Sequence, residues 1–95
     1  MRKYRLSKRA EDDLAAIAKY GDEHFGITQS DRYREQLKKR FSVLVEQPQL
    51  YPAVDDIRSG YRRSVCGAHS IYYRVDADGV EIMRVLKHQD PSNAF

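Results

Sequence analysis

Apolar residues change their spacing once along this chain, from three-and-four in the first half to two in the second. The opening "KYRL", residues 3–6, alternates briefly and predicts a short strand. Ser7 follows where a helix N-cap belongs, and Glu11, Asp12 and Asp13 complement the dipole of the helix it would start. Ala10, Leu14, Ile17, Ala18, Gly21 and Phe25 then fall on one helical face, and Gly26 supplies a stop. A second helix, beginning near Thr28 or Ser30, aligns Tyr33, Leu37, Phe41 and Leu44 before Pro48 ends it. So short a link folds the two helices into an antiparallel hairpin.

"QPQLYPAVDDIRS", residues 47–59, has no period and two prolines, so it reads as an ordered loop pinned by Leu50, Tyr51 and Val54. Beyond it three strands follow, carried by Tyr61 and Val65, by Ile71, Tyr73 and Val75, and by Val80 and Ile82 within "VEIMRVLKH". Gly67 marks the first hairpin turn and Asp78-Gly79 the second. A two-residue first turn would put Arg62 and Tyr73 on one face. A three-residue turn gives one coherent apolar face, leaves Arg62, Ser64, Ser70, Tyr72 and Arg74 opposite, and is the expected register. The expectation is an α+β fold of order β-α-α-β-β-β, with the helical hairpin packed on a small antiparallel sheet and residues 1–95 forming one domain.

Composition narrows the class. A hydrophobic share of 41% and a charged share of 33% describe a globular chain with a busy surface. No apolar run is long enough to span a bilayer and no apolar stretch follows the basic start, so a cytoplasmic protein without membrane association is expected. The net charge of +3 is unevenly spread. Residues 1–10 and 57–75 hold nine of the basic side chains and no acid, which would create a positive field if the two zones met.

Little in the chain suggests chemistry. His24, His69, His88 and Cys66 share no metal-ligand spacing, and neither a phosphate loop nor a nucleophile in a recognisable turn is present. No catalytic residue, metal or cofactor is expected. What stands out is "GYRRSVCGAHSIYYRV", residues 60–75, in which arginines and tyrosines of the kind that dominate binding hot spots gather without an acid. A second basic group, Arg84, Lys87 and His88, lies at the end of the last strand.

The order and spacing of "YRLSKRAEDDLAAIAKYGDEHFG", "YREQLKKRFSVLVEQPQLYP" and "IRSGYRRSVCGAHSIYYRVDADGVEIMRVLKHQD" resemble the ParE branch of the RelE/ParE family of type II toxins over nearly the whole chain. The resemblance implies a cognate ParD-like antitoxin with an acidic C-terminal segment, a role in plasmid stabilisation, and non-enzymatic inhibition of DNA gyrase, with no sequence-specific DNA binding by this chain alone. The RelE side of the family implies an alternative, ribosome-dependent messenger RNA cleavage. Here Ser70 stands where a middle-strand arginine would carry that chemistry, which favours the gyrase-directed branch. A non-toxic binding module of the same fold is the third reading. On this basis Arg58, Tyr61, Arg62, Arg63, Tyr72 and Arg74 are expected to bind the antitoxin, and Arg84, Lys87, His88 and Phe95 to engage the target.

Overall fold

The computed structural model describes residues 3–87. Its elements are β1 (Lys3–Leu6), α1 (Lys8–Phe25), α2 (Ile27–Glu46), β2 (Tyr61–Cys66), β3 (His69–Asp76) and β4 (Gly79–Lys87), the expected order. Ser7 starts α1 as read from the sequence: its Oγ accepts the Ala10 N–H at 3.0 Å. The same hydroxyl donates to the Met83 carbonyl at 2.8 Å, so one side chain both caps the helix and clips it to β4. Gly26, at φ 85°, ends α1, and its carbonyl accepts the Ser30 N–H to open α2. The second helix therefore begins at Ile27, slightly before the expected Thr28 or Ser30. Gly21 has a role that the apolar stripe did not reveal. A Cβ at this position would lie 2.5 Å from Ser30 Oγ, so glycine is what lets the two helices approach.

The sheet order is β1-β4-β3-β2. β2, β3 and β4 are antiparallel neighbours, but β1 runs parallel to β4, so the sheet is mixed rather than wholly antiparallel. No hairpin joins β1 to β4, hence no local turn dictates their direction. The two strands approach closely where they meet: a Cβ on Gly79 would lie 2.6 Å from the Lys3 carbonyl oxygen.

The first hairpin also corrects the sequence reading. Cys66 pairs with His69 across a two-residue Gly67–Ala68 turn, not a three-residue one. Gly67 sits at φ 59° and Ala68 has a negative φ, the signature of a type II′ turn. Arg62 and Ser64 accordingly lie opposite Tyr73 and Ile71 on the helix-facing side, away from Tyr72 and Arg74. Choosing a register by seeking a single apolar face failed because both faces are covered. Helix-facing Ile71, Tyr73, Val80, Ile82 and Val85 pack with Leu37, Phe41 and Leu44. On the other face the loop after α2 brings Val54 and Ile57 onto Tyr61, Tyr72 and Leu86. Tyr51 and Val54 anchor that loop as expected, whereas Leu50 is exposed. Within β4 a bulge leaves Met83 unmatched between Ile82, opposite Tyr73, and Arg84, opposite Tyr72. It shifts the inward-facing positions from Val80 and Ile82 to Val85.

Candidate functional site

An open groove of about 700 Å³ runs between α1, α2 and the end of β4. Ile17, Tyr20, Phe25, Val85 and Leu86 give it apolar walls, and Tyr33 and His69 close it beside the β2–β3 turn. The apolar stripe of α1 outruns the sheet beneath it, which leaves Tyr20 and Phe25 43% and 56% exposed. Open apolar surface of this kind is characteristic of docking and ligand sites.

Three local arrangements hold the groove in shape. Tyr33 Oη accepts the Ala68 N–H at 3.0 Å and lies 2.5 Å from His69 Nδ1 and 3.3 Å from the Cys66 carbonyl. Tyr33 Oη thus ties the turn backbone to the His69 ring, and burial raises the Tyr33 pKa above its ordinary value. A Cβ on Gly67 would lie 2.7 Å from the Tyr33 ring, so the turn glycine makes room for the tyrosine. Asp13 forms the second arrangement. Its carboxylate accepts from Arg84 Nε at 2.8 Å, from Arg84 Nη2 at 3.0 Å and from the Val85 N–H at 3.0 Å. Both side chains are about 15% exposed, at 14% and 15%, so this is a well-shielded bidentate pair, and the hydrogen bond to Asp13 raises the Arg84 pKa. The third is a stack at the rim, where His24 lies 3.9 Å from the Tyr20 ring and the Lys87 ammonium sits 4.3 Å from its centroid. With Asp13 neutralised by Arg84, the charged groups left lining the groove are Arg32 and Lys87, both positive.

The residues singled out from sequence are distributed over this frame rather than gathered into one site. Arg84 is committed to Asp13, and Lys87 stands at the groove rim against Tyr20. His88 and Phe95 lie outside the described residues. Arg62 donates to the Tyr51 carbonyl at 2.6 Å and to Gln49 Oε1 at 2.5 Å, tying the loop to β2. Tyr72 is buried and Tyr61 half-buried in the second apolar cluster. Arg74 meets Glu81 at 2.8 Å across the β3–β4 ladder, so a stretch free of acids in sequence is not free of them in space. Arg58 is exposed and Arg63 half-buried; among the described residues neither forms an ion pair. Asp13, one of the helix-start charges, and Tyr33, of the α2 stripe, frame the groove together with Tyr20, which the sequence did not single out. The available signal was an α1 stripe longer than the sheet needs, with Tyr20 and Phe25 at its far end.

Residues 4–91 match the family model described as the ParE toxin of the type II toxin–antitoxin system parDE. The chain is 39% identical over 89 residues to Toxin ParE1 of Caulobacter vibrioides, covering 94% of this chain and 91% of the relative. It is 33% identical over 88 residues to Toxin ParE1 of Mycobacterium tuberculosis, covering 92% and 89%. Among solved structures it is similar to a chain of the chromosomal ParDE system of P. aeruginosa, with a TM-score of 0.80 at 16% identity over 94% of this chain and 98% of that one. A chain of the YoeB–YefM complex of Staphylococcus aureus shares the fold with a TM-score of 0.62 at 14% identity, covering 94% and 99%.

Proposed function

This chain belongs to the ParE toxin family of type II toxin–antitoxin systems, and from that premise we propose that it inhibits DNA gyrase in the cytoplasm and is silenced by a ParD-like antitoxin lying in the groove. The observation that carries the reading is the open apolar groove with Tyr20 and Phe25 exposed along it. Its positive lining, Arg32 and Lys87, suits an amphipathic antitoxin segment with an acidic edge. Poisoning of a topoisomerase by contact requires surface rather than a reaction centre. Ser70, at the position where the nuclease branch would need an exposed cation, is 4% exposed and paired between Val65 and Leu86, which supports the gyrase-directed reading. Among the described residues no helix is long and apolar enough to cross a membrane.

Expression without antitoxin, followed by plasmid topology and messenger RNA integrity in the same cells, tests the target. Loss of supercoiling with DNA breaks is expected; codon-positioned RNA cleavage, or normal growth, would overturn the assignment. For the antitoxin, Tyr20→Asp should raise the dissociation constant of the complex roughly tenfold or more while the toxin stays folded, since a charge replaces an aromatic anchor.

A further inference from the structure

The elements around the groove give it unlike walls. α1 and β4 supply an apolar one: Ile17 and Phe25 mark out about 12 Å of α1, with Val85 and Leu86 alongside. Ala16 and Gly21 line the same stretch and leave the space beside it open.

The α2 wall is polar. Gln29, Arg32 and Gln36 follow one another at spacings of three and four, so they share one helical stripe, and all three are exposed. Among the described residues none of the three makes a side-chain hydrogen bond or an ion pair. The nearby acids are already engaged. Asp31 pairs with Arg34, and Glu35 lies 3.6 Å from Lys38. Asp13, the one acid lining the groove among the described residues, is held by Arg84.

Arg32 therefore presents an unanswered fork of N–H donors between two carboxamides, facing an apolar wall. Such a fork matches the two oxygens of a carboxylate. One guanidinium flanked by neutral amides suits a monoanion, since Lys87, the other cation of the lining, is drawn to the Tyr20 ring.

We infer that the groove binds small amphipathic carboxylates. The carboxylate lies on Arg32 between Gln29 and Gln36, and an acyl chain of medium length runs along α1 from Ile17 to Phe25. This site stands independently of the antitoxin reading, because the toxin alone carries every group it uses. With the antitoxin seated in the same groove, ligand and antitoxin compete, and release of the toxin responds to the ligand.

Titration of the full chain, free of antitoxin, with decanoate below its micelle concentration tests the site by methyl and guanidinium NMR. Saturable shifts are expected at Ile17, Val85 and the Arg32 Nε–H. Decanoate should bind at least about tenfold more tightly than decyltrimethylammonium, which has a chain of the same length and a positive head. Arg32→Gln should abolish that preference at an unchanged thermal midpoint, because the side chain is exposed and bonded to nothing else. Arg32→Lys should recover only part of it, since an ammonium lacks the fork. Equal binding of the two amphiphiles, an absence of saturable shifts, or an unaltered preference in folded Arg32→Gln would overturn the site. With decanoate at ten times its dissociation constant, an antitoxin complex formed in the groove should weaken about elevenfold. A complex that does not weaken would overturn the groove as the seat of the antitoxin, while saturable binding to the free toxin would still uphold the carboxylate site.

Discussion

Asp13 shows how much one side chain can organise: from the second turn of α1 it fixes the side chain of Arg84 and the backbone of Val85 on β4, more than seventy residues away in sequence. Removing its charge by Asp13→Asn should cost about 1.5–3 kcal/mol in urea unfolding, the range for hydrogen bonds to charged groups. A double-mutant cycle with Arg84→Met should give a coupling of about 1 kcal/mol or more, because both partners are shielded from solvent. Tyr73 offers a neutral comparison. Its hydroxyl donates to the Pro48 carbonyl at 2.9 Å from a fully buried ring, so Tyr73→Phe should lose about 1 kcal/mol and loosen the loop after α2. At this scale the sequence was partly legible. Ser7 announced its cap and Tyr73 its place on the apolar face of a strand, because both follow from near neighbours. The partners of Asp13 and Arg62 depend on which distant segments meet, and nothing within a few residues of either encodes that.

Elements depend on glycine where backbones approach. Gly21→Ala places a methyl against Ser30, and overpacking of about 1–3 kcal/mol should outweigh the gain in helix propensity of about 1 kcal/mol, so a lower unfolding midpoint is expected. A stabilised variant would mean that Ser30 turns aside at no cost. Gly67→Ala should do more harm, since its φ of 59° and the Tyr33 ring both oppose a Cβ; the loss should appear as disorder at the closed end of the groove in amide spectra. Element boundaries were legible because caps, glycines and prolines act locally: β1 matches its expected residues 3–6, and α2 ends before Pro48. The hairpin register was not. It follows from the two-residue Gly67–Ala68 turn, and with the outer face also covered, apolar alternation does not single out one face.

For the whole molecule, charge and burial set the pH range. Arg5 holds the Asp76 carboxyl below its ordinary pKa of 3.8, so that pair stabilises the fold fully above this value and its contribution is lost as pH falls further. Burial raises the pKa values of Tyr33 and Tyr73 above the ordinary 10.0, so their contribution is complete below pH 10.0 and is lost as pH rises through the folded-state values. Thermal denaturation across pH should therefore show a plateau that falls at both ends, with Arg5→Ala removing part of the acid-side slope; an unchanged slope would place that pair outside the folding equilibrium. The sequence by itself determined the element types and order, the core stripes of both helices and the family, because periodicity, capping and motif spacing are properties of neighbouring residues. Tertiary structure alone decided the parallel seat of β1, the pairing of Arg74 with Glu81 and of Arg84 with Asp13, and the opening of a groove where α1 outruns the sheet. Each of these is a relation between surfaces far apart in the chain, settled only when close packing brings them together.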